Sequence, residues 1–187
     1  MILIIDMNWK KDSLGFYEFV LPIAEVAEKL EDCKIKHYFE VSSEDVTCCD
    51  KIILSGTALK DTATLQQPEK FEWLKEIEKS VLGICAGMET IGMVYGARLA
   101  NCLEIGMTEI TKIRENPLFS KNFKAYSLHS YCVEQSKDFE ILAESSKCLQ
   151  IIKHKTKPLY GMLFHPEVRN PELINRFIEL DSKLENS

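Results

Sequence analysis

No apolar run in this 187-residue chain approaches the roughly 20 residues of a membrane-crossing helix, so no membrane span is expected. An excess of positive charge is also missing. Lysine and arginine number 23 against 29 acidic residues, a net charge of −6, which leaves neither a nucleic-acid footprint nor a membrane-surface patch. There is no glycine-rich phosphate loop and no dinucleotide fingerprint, so no cofactor and no ATP-using domain is expected within the chain. No Cys-x-x-Cys pair occurs, and that argues against a metal site. The start, Met1-Ile2-Leu3-Ile4-Ile5-Asp6, has no basic residues and no small-residue cleavage site, and reads as a strand instead of a signal peptide. Internal repeats and low-complexity segments are absent.

Cysteine, by contrast, is plentiful: Cys33, Cys48, Cys49, Cys85, Cys102, Cys132 and Cys148. An odd count without regular spacing argues against a disulfide framework. Free thiols acting as small hydrophobes in a reducing cytoplasm are expected. The length suits one core, hence a single domain over residues 1–187.

Read in order, Met1 to Asp6 suits a central parallel strand. A polar loop follows, in which Trp9 is expected to pack on the surface. Phe16, Phe19, Val20, Ile23, Val26, Ala27 and Leu30 then fall at helical spacing, with Pro22 in a first turn or at a kink. Lys34 to Glu40 predicts a strand with Ile35, His37 and Phe39 on one face, His37 being structural. Asp50 to Leu54 predicts a third strand, ending in the turn Ser55-Gly56. Pro68 opens a helix carrying Phe71, Leu74 and Ile77. Arg98 to Thr111 predicts short strands with a turn or bulge at Gly106. Strands are also expected over Phe123–His129, Phe139–Ala143, Cys148–His154 and Leu159–Phe164. A last helix begins at Pro171, capped by Asn170. Strands alternating with helices, then strands alone, predict an α/β fold. It has a mainly parallel open sheet with helices on both faces and a small antiparallel extension.

The chain is organised around Val81-Leu82-Gly83-Ile84-Cys85-Ala86-Gly87-Met88-Glu89. It reads as a buried strand, a sharp turn carrying one cysteine, and a helix start. Small residues at 83 and 87 leave room for a strained turn. The helix N-terminus would favour thiolate at Cys85, and the Ala86 N–H would be free to receive an oxyanion. His165-Pro166-Glu167 follows another apolar run. Cysteine, histidine and carboxylate at the ends of strand-like runs suit nucleophilic attack by a thiol, with a histidine base oriented by an acid.

On these residues the chain resembles the class I glutamine amidotransferases, and among them it is most similar to the glutaminase subunit of archaeal GMP synthetases. The likeness rests on Ile52-Ile53-Leu54-Ser55-Gly56, on the cysteine turn, and on Lys153 to Gly161 leading into Phe164-His165-Pro166-Glu167-Val168. It implies a flavodoxin-like three-layer fold and a Cys85, His165, Glu167 triad. It implies an oxyanion hole from the Gly56 and Ala86 N–H groups, L-glutamine as substrate, and a separate ATP-dependent synthetase that takes the ammonia.

Three positions depart from the family pattern. Glu89 stands where the family usually has a substrate-contacting glutamine, so it is expected on the substrate side and puts a charge near the pocket. Leu128-His129-Ser130-Tyr131-Cys132-Val133 stands for Ser-His-x-Asp-x-Val, with His129, Ser130 and Tyr131 expected on the substrate side. Thr57-Ala58 replaces Gly-Pro after Gly56, and threonine disfavours a positive φ there. Glu89 and the altered loops leave two alternatives: a hydrolase or transferase on another γ-glutamyl compound, or a binding subunit that has lost turnover.

Overall fold

The computed structural model describes residues 1–180, so the last seven residues of the expected 1–187 unit lie outside the described residues. A nine-stranded sheet runs through them in the order β2-β1-β3-β4-β9-β8-β7-β5-β6. Five strands are parallel neighbours: β1 (Ile2–Asp6), β2 (Cys33–His37), β3 (Lys51–Leu54), β4 (Ser80–Ile84) and β9 (Leu159–Met162). The antiparallel extension is β5 (Leu99–Lys112), β6 (Phe123–Val133), β7 (Phe139–Glu144) and β8 (Leu149–His154). The expected α/β architecture is therefore present.

The central strands β1, β3 and β4 are buried along their whole length. That is why they read as continuous apolar runs and not as alternations. Their side chains feed two cores. Ile2, Ile4, Ile53 and Leu82 pack beneath α1 (Leu21–Ala27) and α5 (Pro171–Glu179). Leu3, Ile5, Ile52 and Val81 pack beneath α3 (Ala86–Val94) and a 3₁₀ helix, Pro68–Lys75. Phe71 and Leu74, three residues apart, fall on one side of a 3₁₀ helix and are buried, while Ile77, expected on the same helix, lies beyond its end at Lys75.

Several expectations shift. The first helix runs through a π-helical turn, Phe16–Val20, into α1, with Pro22 in the first turn of α1, one of the two places expected for it. Pro22 has no N–H to give to the preceding turn, and its ring crowds that turn's carbonyl, so the backbone widens before it. The helix stops at Ala27 and leaves Leu30 exposed. Strand β2 ends at His37. Beyond it Tyr38 is buried and Phe39 exposed, the reverse of the alternation. Residues 99–112 form one long strand, whose register break lies between Asn101 and Glu104. Gly106 (φ +98°) stays in register with Ser127. A helix that the periodicity missed, α2 (Ser43–Cys48), is held by a capping box. Asp45 N–H donates to Ser42 Oγ at 3.2 Å, and Ser42 N–H donates to Asp45 Oδ2 at 2.9 Å. Asn170 holds the position before α5 but makes no side-chain cap bond.

Candidate active site

In an open parallel sheet, the crevice beyond the C-terminal strand ends collects functional groups. Here three adjacent strands do so. β3 runs out into Ser55-Gly56, β4 into Cys85, and β9 through Leu163-Phe164 into His165. Cys85 has φ +49° and ψ −107°, a conformation that a non-glycine residue rarely adopts. The turn is so tight that its neighbours must be small. A Cβ on Gly83 would lie 2.5 Å from the Gly87 backbone, and one on Gly87 would lie 2.6 Å from the Leu54 carbonyl oxygen. Gly56 is crowded by side chains of the site itself, since a Cβ there would stand 2.6 Å from His165 Cε1 and 3.3 Å from Cys85 Cβ.

His165 and Glu167 are both buried, and His165 Nδ1 meets Glu167 Oε1 at 2.7 Å. Proline between them opens the short helix α4 (Pro166–Arg169) and places the two side chains on one side of the turn. Burial alone would push the His165 pKa down. The charges of Glu167 and Cys85 outweigh it, and the imidazole is held well above its usual value. Phe19, on the π-helical turn, packs against the ring at 5.1 Å between centroids.

The Cys85 thiol is pushed up by burial, against the pull of His165 and of the Ala86 N–H. As the first residue of α3, Ala86 has no intrahelical acceptor for that N–H. The sulfur donates to the Leu128 carbonyl oxygen at 3.6 Å, while His165 Nε2 is buried and makes no hydrogen bond. The resting geometry thus holds a thiol turned toward β6, beside an imidazole edge that is not yet engaged.

Glu89 is one helical turn beyond Cys85, is buried, and lines the same cleft. Desolvation pushes its carboxyl up to about 8, against the pull of His165, so near neutral pH it is largely protonated. A protonated carboxyl offers one donor and one acceptor, as a side-chain amide does. Burial thus disfavours the charge that the sequence places beside the pocket.

His129, Ser130 and Tyr131 also line the cleft, together with Thr57, Ala58, Leu59, Asp61, Thr62 and Leu65. The His129 ring, however, is tied to β5, with Nε2 3.1 Å from Glu104 Oε2 and Nδ1 3.1 Å from the Cys102 carbonyl oxygen. Ser130 Oγ donates to the Leu59 carbonyl oxygen at 3.3 Å and clips the 57–65 segment down. Thr57 does not need a positive φ; its Oγ1 donates to the Asp61 carbonyl oxygen at 3.1 Å. The closed cleft leaves about 10 Å³ for a water-sized sphere, room for about one water. Beyond the same segment opens a cavity of about 570 Å³, lined by Asn8, Trp9, Leu14, Ala58 and Asp61. Trp9 is 63% exposed there and not packed down as expected. The Leu128 carbonyl and Phe19 were not legible in the sequence. One is a backbone atom and the other reaches the site only through the sheet topology.

This arrangement can be set beside known proteins. A glutamine amidotransferase class I family model matches residues 18–180. A glutamine-hydrolyzing GMP synthase subunit from Methanocaldococcus jannaschii is 39% identical over 53% of this chain and 56% of its own length. The Methanosarcina barkeri protein of the same name is 32% identical over 72% of this chain and 75% of its own. The chain spans about half the length of the first of these curated relatives. Among solved structures, a Thermoplasma acidophilum chain described as a GMP synthase subunit superposes with a TM-score of 0.82 at 23% identity, covering 96% of this chain and 92% of that one. A glutamine amidotransferase of Thermotoga maritima superposes with a TM-score of 0.67 at 21% identity, covering 98% and 87%. At those identities the likeness speaks for the fold, while the family model and the methanogen sequences speak for descent: the chain belongs to the class I glutamine amidotransferase family.

Proposed function

We propose that this chain hydrolyses the side-chain amide of L-glutamine at Cys85 and delivers the ammonia to a separate ATP-dependent synthetase, a GMP-forming one as in the named relatives. The observation that carries the reading is the meeting, at three adjacent strand ends, of a cysteine at φ +49°, a His–Glu pair at 2.7 Å and a glycine whose missing side chain leaves room for the His165 ring.

The Cys85 sulfur rotates from Leu128 toward His165 Nε2 and passes its proton to the neutral form of the imidazole, whose raised pKa makes it a strong acceptor. The thiolate attacks the amide carbon. The oxyanion rests on the N–H groups of Ala86 and Gly56. The C–N bond breaks, His165 returns the proton to the leaving nitrogen, and ammonia departs. Water deprotonated by His165 then cleaves the γ-glutamyl thioester to glutamate and the free thiol. Glu167 holds the imidazole in orientation and stabilises its cationic form. The protonated Glu89 stands in for the usual glutamine as a neutral donor and acceptor.

The shut cleft favours control by the partner. With room for about one water at the sulfur, glutamine enters only when the 57–65 segment lifts. Free thiols throughout, with no bridge among the described cysteines, fit a reducing cytoplasm. The test is ammonia release from L-glutamine by the wild type and by Cys85→Ala, each alone and with the synthetase. Release that needs both Cys85 and the synthetase supports the reading. Release that survives Cys85→Ala, or turnover of other γ-glutamyl amides but not glutamine, would overturn it.

A further inference from the structure

Three of the cysteines converge outside the catalytic cleft. Cys102 on β5, Cys132 on β6 and Cys148 in the turn before β8 bring their Sγ atoms within 4.8 Å of one another. None of them is in a disulfide. Their separation along the chain hides this, and pairing within the sheet creates it. At the register break in β5, Cys102 and Leu103 together stand opposite Ser130 alone. Such a bulge re-aims side chains. Leu103 is left exposed while Cys102 and Glu104 turn inward.

A carboxylate with its own supporting set lies beside the thiols. Glu104 is buried, and its Oε2 is 3.6 Å from Cys148 Sγ. Gln150 Nε2 donates to that oxygen at 2.6 Å, His129 Nε2 meets it at 3.1 Å, and Ser145 Oγ donates to Oε1 at 3.1 Å. Gln150 Nε2 also reaches Cys148 Sγ at 3.3 Å. Cys102, Glu104 and His129 form a second set whose donor atoms lie within 4.8 Å of one another, so Cys102 joins the thiol group to the carboxylate.

We propose that Cys102, Cys132 and Cys148, with Glu104 as fourth ligand, form a structural zinc site that fastens β5, β6 and the β7–β8 turn together. Three sulfurs select a soft, thiophilic ion over magnesium or calcium. Zinc takes four such donors tetrahedrally at about 2.3 Å from sulfur, which puts neighbouring sulfurs about 3.8 Å apart. The three sulfurs, within 4.8 Å of one another, close to that value with movements of about 1 Å, and Glu104 Oε2, 3.6 Å from Cys148 Sγ, swings in to complete the set. His129, Gln150 and Ser145 then act as the outer set that orients the carboxylate. Each thiol gives its proton to solvent as the ion binds. A surface cavity of about 500 Å³, lined by Cys132, Glu144, Ser145 and Cys148 among others, supplies the way in. The ion, held through Cys132, would stiffen the adjoining stretch from Leu128 to Tyr131, which forms one wall of the catalytic cleft. The inference does not depend on the glutaminase reading.

The test uses the full chain carrying Cys85→Ala, so that the cleft thiol cannot bind metal. The protein is reduced, stripped with a chelator, and titrated with zinc against a chromophoric competitor. It is titrated separately with cobalt as a spectroscopic substitute. Expected are one zinc per chain and the intense visible and sulfur-to-cobalt bands of a tetrahedral thiolate site. Adding Cys102→Ala or Cys148→Ala should weaken zinc at least about 100-fold and collapse those bands, whereas Cys48→Ala, at an exposed thiol, should do neither. A second measurement needs no ligand mutation: zinc should protect Cys102, Cys132 and Cys148 from alkylation, read by mass spectrometry, and leave Cys48 reactive. Substoichiometric zinc, binding indifferent to the Cys102 and Cys148 changes, equal alkylation with and without zinc, or a disulfide among the three in place of metal uptake would each overturn the site.

Discussion

Among single residues, Glu89 is the most informative side chain in the cleft. Its carboxyl is raised from 4.5 to about 8 because burial penalises the charge. The unfolded chain ionises it near 4.5 and the folded chain does not. Its contribution is therefore fully present below pH 4.5 and is lost as the pH rises toward 8. At pH 7 that linkage is worth about 3 kcal/mol against the fold. Glu89→Gln should be more stable than the wild type by up to that amount at pH 7, with the gap closing below pH 4.5. Urea melts at pH 4.5, 6 and 8 check this, and a gap that ignores pH would contradict it. In turnover, the wild type should lose activity above pH 8 as a charge appears beside the Cys85 thiolate. Glu89→Gln should keep its rate at pH 7 and lose that decline.

Among the structural elements, two turns can be tested separately. Gly56 ends β3 against the His165 ring, and a methyl group there would overlap Cε1 at 2.6 Å. Because Glu167 fixes the other side of the ring, the histidine cannot retreat without leaving the sulfur. Gly56→Ala should cut ammonia release about 100-fold with little change in the melting temperature, since a displacement near 1 Å suffices for such a loss. A large fall in stability with the activity per folded molecule intact would refute the assignment. The second turn is the start of α2. Ser42→Ala removes one half of its capping box and should cost about 1 kcal/mol by chemical denaturation without affecting turnover. The same box, Ser42-Ser43-Glu44-Asp45, was the local signal for a helix too short for its apolar periodicity to show.

For the molecule as a whole, the shut cleft predicts a reactivity order. Exposed Cys48 should be alkylated quickly, whereas Cys85 should react slowly with a glutamine-mimicking electrophile until the synthetase is added. Peptide mass mapping reads both rates. Fast Cys85 labelling in the isolated chain would show that the 57–65 segment does not guard the site. Much of the molecule was legible in the residues. Fully apolar runs marked the buried parallel strands, because both of their faces are covered. Gly83 and Gly87 around Cys85 marked the tight turn, because no larger side chain fits there. His165 two residues before Glu167 marked a pair that local backbone alone can hold at 2.7 Å. These are short-range matters, so the α/β architecture, the cysteine turn and the His–Glu pair were already written in the residues. Long-range contacts were decided elsewhere. The neutral state of Glu89 depends on what surrounds it, the engagement of Cys85 with Leu128 depends on β6 arriving beside α3, and Phe19, on the π-helical turn, meets His165 only across the fold. The meeting of Cys102, Cys132 and Cys148 depends on a one-residue bulge in β5 and on which strands pair. Such proximity is set by the sheet's topology and register, which no local stretch of sequence contains.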